Sequence, residues 1–374
     1  MTYLDTAIEI IKKIESEGYE AYIVGGFVRD YILNIPSNDI DITTSALPDQ
    51  LKNIFKKVVP TGIKFEGVTI IENGYTFEVT TFRKDISYYD HRHPNIAYAS
   101  TLAEDLSRRD FTINAMAIDK DFNIIDMYNG KRDLENKVLR AVGKPSLRFN
   151  EDALRILRGY YFASKLNFEI DPETISGMDL NAEYLNFVSG ERVTRELDKL
   201  FKQEHQHKGI FYLVASKAID YLPSLKQALF KVYNIDHNIS FIELLCLGFY
   251  LEGPTNRYSL TRAESRQINT VINLIDKDID NLDLFNTRDE DLLIANDIKK
   301  ILNMNYSKDI LLDKSKLVIK NVKELDIKPK DIIALGYKDN EISIKFNEAL
   351  KSVLDKKVLN KKDEILNELN KKVV

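Results

Sequence analysis

The chain has 374 residues, 44% hydrophobic and 30% charged, with a formal net charge of −5. This composition excludes a disordered or fibrous protein, and the length points to two to four domains rather than one core. A single cysteine, Cys246, excludes an internal disulfide and fits a reducing cytosol, while the acidic balance weighs mildly against a nucleic-acid partner.

In chain order, Leu4, Ile8, Ile11 and Ile14 recur at helical spacing among charges, which predicts an amphipathic helix rather than a signal sequence. No run approaches the roughly 18 apolar residues that a bilayer span requires, so no membrane association is expected. Tyr22-Ile23-Val24 reads as a short strand ending at Gly25-Gly26, and Asp39-Ile40-Asp41-Ile42-Thr43 alternates with the period of a strand. Val68 to Ile71 and Tyr75 to Val79 flank Asn73-Gly74, a strong hairpin signal. The polar, aromatic stretch Lys84 to Ala99 predicts a long loop without structure of its own. Phe111 to Ile118 and Ile124-Ile125 complete a small sheet, so the first third is α+β. From about residue 148 the pattern turns helical, with apolar spacing over Glu151 to Leu166 and Glu191 to Phe201. Lys202 to Gly209 and Asp276 to Asp291 are candidate junctions. The expected division is 1–147, 148–207, 208–290 and 291–374. Residues 351–374 hold seven lysines against four acids, a pattern that commonly marks a solvated helix face.

The chemistry concentrates in the first third. Asp39 and Asp41, at i and i+2, project from one face of a strand. Two like charges side by side call for a cation, and hard oxygen ligands favour Mg²⁺. Alone, such a pair also fits a solvent-facing strand edge. Glu78, between Phe77 and Val79, is a candidate third carboxylate or a surface residue. Upstream, Gly25 and Gly26 let the backbone turn close to a ligand, and Arg29 adds a cation one turn into the following helix. A glycine turn with an arginine suits a triphosphate, and an acidic pair beside it suits the accompanying metals. The sum is phosphoryl transfer with two metal ions. No serine–histidine or cysteine–histidine arrangement competes.

Together, GGFVRDYILN, NDIDITTSA and RRDFTINAMA (Arg108 to Ala117) resemble the bacterial class II tRNA nucleotidyltransferase (CCA-adding) and poly(A) polymerase family. The likeness continues through Asp126 to Leu134, Arg148 to Arg158 and Glu191 to Leu197. It implies a DNA polymerase β-like nucleotidyltransferase head (1–147), then an all-helical neck with a nucleobase-selecting helix (148–207), a body (208–290) and a tRNA-binding tail (291–374). It implies a cytoplasmic transferase that adds CCA to tRNA from CTP and ATP. Neighbouring activities are poly(A), A-only or CC-only addition, and a non-catalytic RNA-binding protein is the rival of another class. Asp39 and Asp41 become metal ligands. Gly26, Arg29 and Arg109 become phosphate contacts, Asp110 a ribose contact with Asn114 in support, and Arg158 a further nucleotide contact. The segment 84–99 corresponds to a loop needed for switching from C to A. Two positions depart from the family: Tyr161 stands where many relatives carry Arg, and Asn34 where Gly is usual.

Asp152 and Arg155, three apart on a predicted helix, share a face and could form a plain salt bridge. Their chemistry also permits base selection. Cytosine and adenine each offer an amino donor beside a ring-nitrogen acceptor, whereas guanine and uracil offer a carbonyl beside an N–H. A carboxylate that only accepts and a guanidinium that only donates fit the first pair and not the second. The resemblance assigns this role to the Glu-Asp-x-x-Arg motif, and the lysines of the C-terminus are expected to touch tRNA phosphates.

Overall fold

The computed structural model describes residues 2–61, 67–88 and 94–371. It separates into two compact units: residues 1–226 with 256–259, and residues 227–255 with 260–374.

The first unit is built on a sheet whose strands are β1 (Ala21–Val24), β2 (Asp41–Thr44), β3 (Val58–Thr61), β4 (Gly67–Glu72) and β5 (Tyr75–Thr81). After the ribbon β6 (Arg83–Tyr88) and β7 (Pro94–Tyr98), β8 (Met116–Ile118) and β9 (Ile124–Asp126) complete it, in the order β3-β4-β5-β2-β1-β8-β9. Only β2 and β5 are parallel neighbours among these seven. Asn73 (φ 51°) and Gly74 (φ 81°) close the β4–β5 hairpin with the left-handed backbone that this pair favours. Helix α1 (Tyr3–Ser16) lies against β1, β2 and β5. A reciprocal cap between Thr2 and Asp5 starts it, and its Ile8, Ile11 and Ile14 are buried. Ile23, Ile42, Phe77 and Val79 are fully buried beneath it. Asn34 takes φ 56°, so the turn tolerates its departure from Gly.

Three expectations are corrected. Segment 84–99 is not a structureless loop: β6 and β7 pair as an antiparallel ribbon, while residues 89–93, His91, Arg92 and His93 among them, lie outside the described residues. The run Phe111 to Ile118 is not one strand. Thr112–Asn114 form a 3₁₀ turn because their side chains bond inward, Thr112 Oγ1 donating to Asp133 and Asn114 Nδ2 to Asp110. Strand β2 begins at Asp41, so Asp39 precedes the ladder rather than sharing it.

Helices continue the unit: α2 (Gly26–Ile32), α3 (Pro48–Ile54), α4 (Leu102–Ser107), α5 (Gly130–Glu135), α6 (Pro145–Glu151), α7 (Leu154–Leu166), α8 (Pro172–Leu180), α9 (Gly190–Phe201) and α10 (Gln206–Ala215). Helix α7 packs against α9 and α10. The single helix expected from Glu151 is broken: α6 ends at Glu151, Asp152 is extended (φ −148°, ψ 103°), and α7 starts at Leu154.

The described part of the second unit is helical, and none of the described helices is long and apolar enough to cross a membrane. Cys246 is buried in helix Phe241–Glu252. On that helix, burial, then the hydrogen bond and charge of Asp297, push the Glu243 carboxyl up from 4.5 to about 8. Nε2 of His237 lies 2.8 Å from Asp297 Oδ2. The folded state therefore holds a proton that the unfolded state has lost between those pH values, and stability falls as pH rises through that window. Glu243→Gln is expected to flatten the decline of the thermal midpoint between pH 5 and pH 8, measured by calorimetry in a pH series. In the lysine-rich tail, Lys351, Lys357 and Lys362 pair with Asp280, Asp355 and Asp331, as an ion-paired helix surface would.

Candidate active site

Register creates the site. Val24, the last residue of β1, pairs with Asp41, and Asp41 pairs with Glu78 on β5. The glycine turn that follows Val24 therefore starts beside the acidic pair. Gly25 has φ 77°, and a Cβ there would stand 3.1 Å from Arg109 Nη1 and 3.7 Å from Asp41 Oδ2. Both the backbone angle and the close approach require glycine at this position. A Cβ on Gly26 would meet Arg29 Nη2 at 3.5 Å, an ordinary contact.

Burial first, then the neighbouring charge of Asp39, push the Asp41 carboxyl up to about 6; Arg109 opposes this and Glu78 adds to it. Asp39 and Glu78 thus both act on Asp41 at the end of the strands. Their oxygen donors and unbalanced negative charge fit a divalent cation. Among the described residues, no three His, Cys, Asp or Glu side chains close into a metal cage by themselves. An ion held here would complete its shell with oxygens from outside the chain, as Mg²⁺ bound with phosphates does.

Of the three acids, Asp41 borders a cleft of about 530 Å³. Gly25, Gly26, Arg29, Asp41, Arg109, Asp110, Asn114, Asp152, Arg155 and Arg158 all line it. Asp39 and Glu78 do not line it. Nine cationic and three acidic side chains line the cleft, so its local charge is opposite to that of the chain, and it suits a polyanion.

Several of these cations are held by bonded neighbours. Arg29 is 3% exposed; its Nε donates to Asp30 Oδ1 at 2.8 Å and its Nη1 to Asn114 Oδ1 at 2.7 Å. Asn114 in turn donates to Asp110 Oδ1 at 3.1 Å, and Arg158 Nε donates to Asp110 Oδ2 at 2.8 Å. Burial alone would raise the Asp110 carboxyl, but Arg158 and these hydrogen bonds hold it below its ordinary value. The guanidinium groups of Arg29 and Arg158 both lie 5.3 Å from the Phe162 ring centre. Asp105 on α4, fully buried, pairs with Arg108 at 2.8 Å and Arg109 at 3.3 Å. The buried Nε of Arg109 has no hydrogen-bond partner.

Asp152 and Arg155, expected to select the base, also line the cleft. Arg155 donates through Nη1 to Glu151 Oε2 at 2.6 Å and to the Arg148 carbonyl at 2.9 Å, and through Nη2 to the Arg108 carbonyl at 2.9 Å. Asp152 accepts from Arg192 Nη2 at 2.7 Å. The two do not share a helical face, because Asp152 lies in the break between α6 and α7. Each has its own anchor and both border the cleft.

Sequence reasoning gave no role to Asp105, Phe162, Lys165, Arg192 or Lys199. Arg192 lies inside the Glu191-Arg192-Val193 motif, which was its available signal; Asp105 stands three and four positions before its partners Arg108 and Arg109, a spacing that offered one too. Tyr161 lines the cleft with Lys199 Nζ 5.9 Å from its ring centre, so a cation still stands at the position that lacks an arginine.

Residues 21–140 match the family model described as the poly A polymerase head domain, and residues 167–229 match that of a probable RNA and SrmB-binding site of polymerase A. The chain is 49% identical over 221 residues to a CCA-adding enzyme of Streptococcus mutans, covering 59% of this chain and 55% of that protein. A CCA-adding enzyme of Streptococcus gordonii is 44% identical over 239 residues, covering 63% and 60%. The matched stretch thus spans little more than half the length of these curated relatives. The crystal structure of the Bacillus stearothermophilus CCA-adding enzyme in complex with CTP superposes with TM-score 0.83 at 29% identity, over 100% of this chain and 98% of that one. A CCA-adding enzyme complexed with ATP gives TM-score 0.74 at 25% identity, over 99% and 95%. The Thermotoga maritima CCA-adding enzyme complexed with tRNA, at 23% identity and TM-score 0.72 over 99% and 95%, shares the fold. In its head domain and its fold, this chain is similar to CCA-adding enzymes and to the head domain of poly A polymerases.

Proposed function

We propose that the protein adds C, C and A to the 3′ end of tRNA, taking CTP and ATP and releasing pyrophosphate, in the cytosol. The observation that carries this reading is a cleft lined by nine cations and three acids, with Asp41 beside the glycine turn. Asp39 and Asp41 would hold two Mg²⁺ ions, which when bound supply charge neutralisation for the attacking 3′-hydroxyl and the departing pyrophosphate. Glu78 adds negative charge that strengthens the site for cations. The turn at Gly25 and Gly26 lets the triphosphate approach the backbone, and Arg29 and Arg109 bring positive charge to it. The unpartnered Nε of Arg109 provides a donor for a phosphate oxygen. Asp110, oriented by Asn114 and Arg158, faces the nucleotide at the ribose. Asp152 and Arg155 read the base edge. We assign the head to 1–147, the base-selecting neck to 148–207, and the tRNA-holding body and tail to 208–290 and 291–374.

The head-domain match carries the name of poly A polymerases, so the nearest second reading is repeated A addition. One incubation separates them: pure protein, tRNA lacking its terminal CCA, CTP and ATP, with products resolved by mass. Addition of three nucleotides that then stops is the expected result. Long A tracts from ATP alone would favour the second reading, and no incorporation would overturn both.

A further inference from the structure

Arg158 and Arg155 in the cleft are each paired with an acid, Asp110 and Glu151, at 2.6 Å. Lys165, in the last turn of α7, lines the same cleft and differs from them. Its Nζ lies 3.9 Å from Asp30 Oδ2, beyond hydrogen-bond reach. Asp30 is already engaged by Arg29, whose Nη2 stands 2.7 Å and whose Nε stands 2.8 Å from Oδ1. Among the described residues the Lys165 ammonium makes no hydrogen bond. Its side chain is 30% exposed, so the group is not a freely solvated surface lysine either. An ammonium placed in this way keeps its donors for an arriving acceptor.

One carboxylate, Asp30, thus faces two cations, and both cations line the cleft. Arg29 shows where along the cleft this surplus charge lies. A Cβ on Gly26 would stand 3.5 Å from Arg29 Nη2, so the two cations belong to the glycine-turn end. On α7, Lys165 shares a face with Phe162 and Arg158, three and seven positions before it. Arg155, at the start of the same helix, is ten positions away, about 15 Å along the axis. Lys165 therefore stands far from the groups that would read a base. Burial, then the charge of Arg29, hold its pKa below the ordinary lysine value, although Asp30 and Asp39 oppose this. The protein leaves this cation incompletely balanced, and a polyanion beside it would supply the balance.

We propose that Lys165 binds a phosphate oxygen of the incoming nucleoside triphosphate, acting beside Arg29 at the glycine turn and taking no part in base selection. This rests on the proposed nucleotidyl transfer. A lysine in the last turn of a helix also complements the carbonyls of the helix end, so the test separates phosphate binding from helix stability.

Wild type, Lys165→Met and Lys165→Arg are compared by titration calorimetry with Mg²⁺ present. The ligands are CTP, UTP, tRNA, and tripolyphosphate as a probe that carries phosphates and no base; thermal midpoints are measured alongside. Lys165→Met keeps the length of the side chain and loses the charge. It is expected to weaken CTP and tripolyphosphate alike by about 10-fold, the contribution of one charge-assisted hydrogen bond. Its tRNA affinity, its preference for CTP over UTP and its thermal midpoint should stay near wild type. Lys165→Arg keeps the charge and should retain most of the affinity. Wild-type affinity of Lys165→Met for both phosphate ligands, a loss for CTP without one for tripolyphosphate, or a loss confined to tRNA would each overturn the proposal. Equal losses in both variants with a lowered midpoint would reduce Lys165 to the end charge of α7. If wild type bound neither CTP nor tripolyphosphate, the underlying nucleotidyl-transfer reading would fail instead.

Discussion

Asp41→Ala is expected to lower nucleotide incorporation by about 10³-fold or more, the consequence of losing about 4 kcal/mol of charge stabilisation at the reacting phosphate. Binding of tRNA, followed by filter retention, should stay near wild type, because the residue lies at the head of the cleft and contributes negative charge to an otherwise cationic surface. A stability measurement separates this role from a structural one. Burial and the charges of Asp39 and Glu78 push the Asp41 carboxyl from 3.8 up to about 6 despite Arg109. An acid raised in the folded state lowers stability as pH rises between those values and leaves a constant penalty above them. At about 1.4 kcal/mol per pKa unit, the penalty reaches at most about 3 kcal/mol. Asp41→Asn removes it. Without divalent cations at pH 7.5 this inactive variant should therefore melt above wild type, and added Mg²⁺ should raise the wild-type midpoint only. A variant that is both inactive and less stable would make Asp41 a structural residue.

The parts of this site legible in the sequence are those whose chemistry is local. Gly25 and Gly26 announce a turn after a strand, and the Asn73-Gly74 pair a hairpin, whereas the Asp39/Asp41 alternation suggests a shared strand face that Asp39, ahead of β2, does not have. Register is not local, and only the pairing of Val24 with Asp41, and of Asp41 with Glu78, brings those pieces together. The errors have physical causes. Apolar periodicity runs unbroken from Glu151 to Leu166, so nothing in it betrays the extended residue at Asp152, which leaves the helix to meet Arg192, forty positions on. The run Phe111 to Ile118 is apolar enough to be read as a strand, yet Thr112 and Asn114 satisfy their polar atoms by turning inward. Asp105 drew no reading from the sequence; buried and paired with both Arg108 and Arg109, it is the counter-charge that allows two arginines to sit side by side. Net charge conceals the cleft for a related reason. A total of −5 averages over acids spread across the helical units and hides a cleft where cations outnumber acids three to one.

Substitution of Asp152 or Arg155 by Ala is expected to relax discrimination against UTP and GTP by about 5- to 150-fold in relative kcat/KM, corresponding to about 1–3 kcal/mol for each mispaired buried polar group. The geometry explains why selectivity, rather than binding of every nucleotide alike, should change. Arg155 is tied to Glu151 and to the carbonyls of Arg148 and Arg108, and Asp152 to Arg192. Neither side chain can rotate to follow a wrong base without breaking those bonds. A guanine or uracil edge would turn a carbonyl toward the carboxylate of Asp152 and an N–H toward the guanidinium of Arg155, leaving like poles opposed. Arg192→Ala leaves both reading groups in place and frees Asp152 alone. Its selectivity loss should therefore be smaller than that of Asp152→Ala and carry a raised KM for CTP and ATP. The measurement is single-nucleotide incorporation on truncated tRNA with each of the four triphosphates. If all three variants kept wild-type ratios while losing thermal stability, Asp152 and Arg155 would be ion-pair residues of the neck, and base selection would have to reside elsewhere along the cleft.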